Sequence, residues 1–242
     1  MRKAITAAVI AGAAATSACG RAHSEDGGPT VSRNYQVGSF DHIEVAGPYN
    51  VQVRTGPTPS VTAKGSEKMI EHLVVEVRDG KLEIHSERQK GWFHTGWNFH
   101  GKVDLVVTVP QLRGASIAGS GDIRVDQVKG DTFEGEIAGS GGLDVAMLDV
   151  QTLKLAIAGS GGTKVGSGRT QSAKYEIAGS GGINAKGVQA QTADVSIAGS
   201  GDVTANATQT ADVSIMGSGN VQLSGGAKCK ISKAGSGNVS CS

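Results

Sequence analysis

Ile117-Ala118-Gly119-Ser120-Gly121-Asp122 is the stretch of sequence that decides the fold, because close copies of it recur until the chain ends. The copies follow at spacings of 20 residues and then of 18 residues, and they begin at Ile137, Ile157, Ile177, Ile197, Ile215 and Lys233. A sustained period near twenty predicts a solenoid, in which each unit buries its apolar face only against the next unit.

Apolar side chains alternate with polar ones on both sides of each Gly-Ser-Gly. Val195 and Ile197 precede one copy, and Val203 and Ala205 follow it. A period of two is typical of strands, whereas helices repeat at 3.6. Two short strands joined at a glycine corner predict one turn of a parallel β-helix, so the fold class is all-β. We place this repeat over residues 116–242.

The residue after each Gly-Ser-Gly is always glycine, asparagine or aspartate. These residues are Asp122, Gly142, Gly162, Gly182, Asp202, Asn220 and Asn238. All three types tolerate the left-handed backbone region, so we expect a positive φ at this position. Asp122 and Asp202 are then interpreted as corner residues, although an isolated aspartate could also be a ligand.

The N-terminus has the features of an export signal. Residues 1–19 carry Arg2 and Lys3, then an alanine-rich apolar run, then small residues before Cys19. This segment is short for a membrane span. Its end resembles the lipobox of bacterial lipoproteins, which implies acylation of Cys19 and, since no aspartate follows, export to the outer membrane. Ordinary cleavage at an Ala-x-Ala-like site is the alternative. Residues 20–34 are polar and predict a flexible tether.

Residues 35–115 predict an N-terminal β region. Gly47-Pro48-Tyr49-Asn50 is a degenerate copy of the corner, so the β-coil is expected to start near Phe40. Ser66 is a candidate N-cap for one or two helical turns. Asp79-Gly80 lies between two alternating runs and predicts a two-residue β-hairpin.

The segment 89–101 contains both tryptophans of the protein and two histidines. Trp92 and Trp97 could stack on sugar rings, and His94 and His100 could take part in binding. The alternative is a hairpin whose aromatic residues cover the open end of the solenoid. Two histidines without a nearby cysteine or a carboxylate pair do not predict a metal site, so we expect neither a metal nor a cofactor.

Taken together, these features resemble a known bacterial family. The export signal, the Phe40-x-x-Ile43-x-Val45 pattern, the Asp-Gly hairpin, Val109-Pro110-Gln111-Leu112 and the serial corners are similar to the putative auto-transporter adhesin, head GIN domain family. The resemblance covers the chain from about Tyr35 onward. It implies a right-handed parallel β-helix with an N-terminal β region, and it supplies no catalytic residues to transfer to this sequence.

Two cysteines flank the last corner. Aligned with the preceding turn, Cys229 takes the place of Ala211 and Cys241 that of Leu223, which are both inward positions. In an exported chain this arrangement predicts a Cys229–Cys241 disulfide that fastens the last turn. Two buried free thiols are the alternative.

Charge and composition limit the possible functions. A net charge of +1 without a basic cluster gives no support to nucleic-acid binding. No paired carboxylates converge in the repeats, and a serine repeated seven times indicates architecture instead of a nucleophile. A calcium-binding β-roll would need a different period.

These limits predict a non-enzymatic, lipid-anchored protein of the cell envelope that binds a polysaccharide or protein partner. The alternative is a carbohydrate-binding or polysaccharide-cleaving module that uses Trp92 and Trp97. The exposed end of the solenoid could also pair with a second copy.

Overall fold

A computed structural model describes residues 28–87 and 102–242 of the 242-residue chain. The predicted signal peptide with Cys19, most of the predicted tether, and the candidate residues Trp92, His94, Trp97 and His100 lie outside the described residues.

The first part of the chain folds into eight strands and one short helix, because its apolar residues alternate in runs of five to seven residues. The elements are β1 (Thr30–Tyr35), β2 (His42–Ala46), β3 (Tyr49–Thr55), β4 (Ser60–Ser66), α1 (Glu67–Glu71), β5 (Leu73–Arg78), β6 (Lys81–Ser86), β7 (Val103–Val109) and β8 (Gly114–Gly119).

The second part consists of long strands, each of which bends around one turn of the solenoid, followed by three short strands. They are β9 (Asp122–Gly139), β10 (Gly142–Gly159), β11 (Gly162–Gly179), β12 (Gly182–Gly199), β13 (Asp202–Gly217), β14 (Asn220–Ser224), β15 (Lys228–Ala234) and β16 (Asn238–Cys241).

Successive turns pair in parallel with the register that the repeat predicts. Ile137 lies beside Ile157, Ile157 beside Ile177, and Ile197 beside Ile215. Alternate side chains point inward and are buried, and they form one continuous apolar core along the solenoid. The expected all-β parallel β-helix is therefore confirmed, with about six turns of about 20 residues.

The solenoid begins before the regular repeat. Strand β2 pairs in parallel with β8, and β3 pairs in parallel with β9, with Asn50 opposite Asp122. Gly47 has a φ of 132°, and its N–H donates to the carbonyl of Ala118 at 2.9 Å. The degenerate corner at Gly47 therefore forms a turn of the solenoid, as predicted.

Two antiparallel additions extend this first turn. Strands β5 and β6 form the predicted Asp79-Gly80 hairpin, with Arg78 opposite Lys81. At the edge of the sheet beyond β7, β4 pairs with β7 and β1 pairs with β4. Residues 30–34, which we expected to belong to the tether, are therefore part of a strand. Val31 and Tyr35 pack against the core from this strand, although its other residues are mostly polar and exposed.

The expected location of the positive φ within the corner is wrong. The first glycine of each Gly-Ser-Gly has the positive φ, for example 129° at Gly159, whereas Asp79 is the one non-glycine residue with a positive φ in the described ranges. A Cβ added at Gly159 would also lie 2.4 Å from the carbonyl oxygen of Gly139 in the preceding turn. The second glycine is needed for close packing alone, because a Cβ at Gly161 would lie 2.6 Å from the carbonyl oxygen of Gly141. The fourth residue of the corner, which we expected to be left-handed, is subject to neither constraint.

The last turn ends in a covalent link. Cys229 lies beside Ala211 and Cys241 beside Leu223, which is the register that the repeat predicted. The two cysteines are joined by a disulfide, with their Cα atoms 6.7 Å apart. The N–H of Ser242 also donates to the carbonyl of Leu223, so the C-terminus is held against the turn before it.

Candidate binding surface

The outer surface of the solenoid carries two shallow grooves that cross several strands. We call the first one the corner groove. It has a volume of about 410 Å³. It runs along the residues that follow each Gly-Ser-Gly and along the outward-facing residues two positions later in each strand. Its polar and glycine lining comprises Asp122, Arg124, Gly142, Asp144, Gly162, Lys164, Gly182, Asn184, Asp202 and Thr204. Since adjacent strands lie about 4.8 Å apart, the distance from Asp122 to Asp202 is on the order of 19 Å.

The floor of the corner groove is formed by glycines that the backbone does not require. Gly142, Gly162 and Gly182 are absent from the residues with positive φ. A Cβ added at Gly162 or Gly182 would come no closer than 3.9 Å to its nearest neighbour, which is an ordinary van der Waals contact. Turns on either side have aspartate or asparagine at the same position. The groove therefore exists because three successive turns have no side chain there.

The two ends of the corner groove are acidic and partly engaged. A Cβ added at Gly142 would lie 2.7 Å from the Oδ1 atom of Asp122, so the Asp122 side chain already covers Gly142. Arg124 lies 3.9 Å from Asp122. At the other end, the side-chain amide of Asn220 donates to Asp202 at 2.8 Å.

The middle of the groove has charged side chains without intramolecular partners. Asp144 and Lys164 lie in adjacent turns in register, yet neither makes an ion pair or a hydrogen bond with its side chain within the described part of the chain. Some charges elsewhere on the solenoid are paired along the axis: Lys154 contacts Glu134 at 2.7 Å, and Arg169 contacts Asp149 at 2.9 Å. Asp144 and Lys164 are therefore available to an incoming ligand.

The second groove, which we call the alanine face, lies on another side of the solenoid and has a volume of about 630 Å³. Its central row consists of exposed small side chains, which are Ala118, Ala138, Ala158, Ala178 and Ala198. One of its flanking charges is paired, since Lys174 contacts Glu176 at 2.9 Å. The hydrogen bond from Lys154 to Glu134, together with the charge of that carboxylate, raises the pKa of Lys154 above its ordinary value.

The lining of the corner groove is suited to the binding of an extended ligand. Its lining has carboxylates, one lysine, one arginine, an amide and hydroxyls, but neither histidine nor cysteine. These groups can donate and accept hydrogen bonds along an extended ligand. In sequence, the visible sign of this groove was the Gly-Ser-Gly-Gly form of three consecutive corners, which we had interpreted only as a backbone requirement.

A family model described as "Putative auto-transporter adhesin, head GIN domain" matches residues 39–227. The chain belongs to this family. The match confirms the resemblance seen in the sequence and includes the corner groove and the alanine face. It ends just before β15, so most of the disulfide-linked last turn lies beyond it.

Solved structures share the fold of this head GIN domain protein. A protein from Bacteroides fragilis, described as a putative adhesin, is 25% identical with a TM-score of 0.79, and the match covers 88% of this chain and 97% of that chain. A protein described as a putative lipid binding protein from Parabacteroides distasonis is 24% identical, with a TM-score of 0.68 and coverage of 89% and 97%.

A third structure, described as a putative adhesin from Parabacteroides merdae, is 20% identical with a TM-score of 0.71, and the match covers 90% and 98% of the two chains. No curated protein matches the chain. In residues 28–87 and 102–242, no helix is long and apolar enough to cross a membrane.

Proposed function

We propose that this head GIN domain protein is a non-enzymatic adhesive protein of the cell envelope that binds an extended polymer in its corner groove. The observation that carries the proposal is the row of three glycines that the backbone does not need, beside two charged side chains without partners. A side chain at any of these positions would narrow the groove. The family name and the similarity to proteins described as adhesins support a binding role.

The shape of the groove favours an elongated ligand. It runs along the solenoid axis for on the order of 19 Å and repeats its hydrogen-bonding groups about every 4.8 Å. A polysaccharide presents hydroxyls at regular intervals and can use such a series of weak contacts. The bound ligand would lie across the turns, with its charged or hydroxyl groups against Asp144 and Lys164.

The N-terminal sequence supports a position in the cell envelope. The apolar run before Cys19 supports export, and acylation of Cys19 would anchor the domain at the outer membrane. Labelling of cells with a fatty-acid analogue tests this part, because a Cys19→Ser variant should lose the label. Labelling that persists in this variant would contradict the lipid anchor without affecting the groove.

The groove itself is tested by filling it. The double variant Gly162→Asp/Gly182→Asp places in two turns the residue that the neighbouring turns have. Binding of the purified chain to isolated envelope polysaccharide and peptidoglycan is measured by biolayer interferometry. We expect at least a tenfold loss of affinity, with the unfolding transition unchanged.

A matched control separates the groove from net charge. The variant Ser196→Asp/Ser214→Asp adds the same charge on the side that bears the alanine face, and it should bind like the natural chain. Equal binding by all three proteins would overturn the groove proposal. Loss of binding only in a Trp92→Ala/Trp97→Ala variant would instead favour the carbohydrate-binding function of the aromatic segment.

A further inference from the structure

The outward face of the β5–β6–β2 layer carries a group of side chains that the groove does not use. In register across these strands, Glu76 lies opposite Glu83, and Glu83 lies beside Glu44. Like charges directly opposite each other on neighbouring strands destabilise a sheet. Two cations, Arg78 and Lys81, lie in the next row, so the layer has three carboxylates against two permanent positive charges.

His85 completes the group, and its ring is oriented by a backbone carbonyl that does not belong to the group. The Nδ1 atom of His85 lies 2.9 Å from the carbonyl oxygen of Ser86. A carbonyl can only accept, so Nδ1 carries the proton, and in the neutral ring the lone pair is then on Nε2. That Nε2 atom lies 3.6 Å from Oε1 of Glu76. Two acceptors facing each other repel unless a proton or a metal cation lies between them.

The spacing of these side chains is compatible with a three-ligand metal site. One ligand atom each from Glu76, Glu83 and His85 lies within 4.8 Å of the other two. At metal–ligand distances of 2.0–2.2 Å, the ligand atoms of a tetrahedral zinc site are roughly 3.4 Å apart. The Glu76–His85 pair is already close to this value at 3.6 Å, whereas the Glu83 side chain would have to move closer to act as the third ligand. A histidine whose other nitrogen donates to a backbone carbonyl is also the usual arrangement of a metal ligand.

We propose that Glu76, Glu83 and His85 bind a divalent transition-metal cation, with Zn²⁺ as the best match. One nitrogen and two carboxylate ligands favour zinc over calcium and magnesium, which prefer oxygen ligands alone. Three protein ligands leave one position for water or for a group from a partner. The site opens into a concavity of about 930 Å³ lined also by Glu44 and Glu87.

Arg78 holds the carboxylates when no metal is bound. Its guanidinium lies 2.8 Å from Glu76 and 4.0 Å from Glu83, and its side chain is largely exposed. A cation that takes both carboxylates must displace this weak surface contact. Arg78→Ala should therefore strengthen zinc binding. Lys81→Ala removes the same charge nearby and is the matched control, so it should change the affinity less.

The test measures zinc binding to the full chain, without a histidine tag and with free thiols alkylated, by isothermal titration calorimetry. One zinc should bind per chain, excess Mg²⁺ or Ca²⁺ should not compete, and the Co²⁺ form should show the visible absorption of a four-coordinate ion. His85→Ala and Glu83→Gln should each weaken binding at least tenfold, while Glu136→Gln should not.

Zinc binding that is retained in His85→Ala would overturn the site. If that binding is then lost in His94→Ala/His100→Ala, the metal belongs to the segment outside the described residues. Thermal unfolding followed by circular dichroism, without metal, checks that each surface variant is folded.

Discussion

Tyr175 in a middle turn and Ile231 in the last turn occupy the same column of the solenoid, but their surroundings differ. Tyr175 lies beside Val195, Val195 beside Val213, and Val213 beside Ile231. Tyr175 is fully buried, whereas Ile231 is 49% exposed. Because each turn is covered only by its neighbours, an inward position becomes a core position only when a further turn follows.

The last turn therefore needs other devices to stay folded. Its strands β15 and β16 have one strand neighbour each among the described residues, and the disulfide and the hydrogen bond from Ser242 replace the missing packing. The outer edge carries Lys228, Lys230 and Lys233. Lysines on an edge strand oppose edge-to-edge pairing with another chain, which counts against the end-to-end pairing that the sequence suggested.

The strongest test of this difference is the same substitution in both places. Gly159→Ala in a middle turn puts alanine at a φ of 129° and its Cβ against the carbonyl of Gly139. We expect it to lower the free energy of unfolding by about 3 kcal/mol or more in urea denaturation. Gly235→Ala meets similar strain at a φ of 128°, but the last turn can open by itself.

The two glycine variants should therefore differ in global stability although their local strain is alike. Gly235→Ala should leave the main urea transition nearly unchanged, and faster hydrogen exchange should be confined to β15 and β16. Ser160→Ala is the control, because it substitutes an exposed residue beside Gly159 in the same middle turn without adding backbone strain. Equal global losses in the two glycine variants would show that the solenoid unfolds as one unit.

The second test removes the covalent link. In the chain-entropy model, closing a loop of this size contributes about 3 kcal/mol. In the variant Cys229→Ser/Cys241→Ser we expect this loss to appear as local opening of the last turn. Hydrogen exchange followed by mass spectrometry should show lost protection in β15 and β16, with β10 and β11 protected as before. Exchange that accelerates throughout the solenoid would contradict a purely local role.

The repeat made much of this architecture predictable. Seven copies of one corner gave the turn length, the strand register and the positions of the two cysteines. The hairpin at Asp79-Gly80 was readable because two residues between alternating runs allow few alternatives. Even the degenerate corner at Gly47 could be recognised by comparison with Gly217.

The errors have equally local causes. The positive φ was expected where residue types varied among glycine, asparagine and aspartate, but it occurs at Gly119 and its equivalents, which never vary. Most of β1 was assigned to the tether, because an edge strand that packs on one face has few apolar residues and shows little alternation in the sequence. The group around His85 lies on the predicted β5–β6 hairpin, where Glu76 is opposite Glu83, so the hairpin register could have indicated it, but we considered histidine ligands only at His94 and His100.

The third test uses the buried hydroxyl of Tyr175, which has no hydrogen-bond partner. Burial raises the pKa of Tyr175 far above its ordinary value. The folded chain therefore keeps this proton above pH 10, where the unfolded chain releases it, so stability is lost as the pH rises past about 10. That loss amounts to about 1.4 kcal/mol per pH unit for one such group. Tyr175→Phe should remove it.

Chemical denaturation at pH 8 and pH 11 measures the effect of Tyr175→Phe. At pH 8 the variant should be as stable as the natural chain or slightly more stable, because an unpaired buried hydroxyl gives no benefit. At pH 11 the variant should be clearly more stable. Tyr49→Phe is the comparison, since the hydroxyl of Tyr49 lies 2.5 Å from Ser86 and is paired. The same pH dependence in the natural chain and in Tyr175→Phe would contradict the assignment.

The smallest expected effect separates the structural glycines from those of the groove. Gly162→Asp lies in the same corner as Gly159, but its φ is not positive and its added Cβ would make only an ordinary van der Waals contact at 4.0 Å. We expect a change in unfolding free energy within about 0.5 kcal/mol. A loss as large as that of Gly159→Ala would show that the fold requires this glycine, and the absence of side chains in the corner groove would then have a structural cause. A neutral result would exclude stability as the reason why three middle turns differ from the turns on either side, which is the result that the ligand-binding proposal requires.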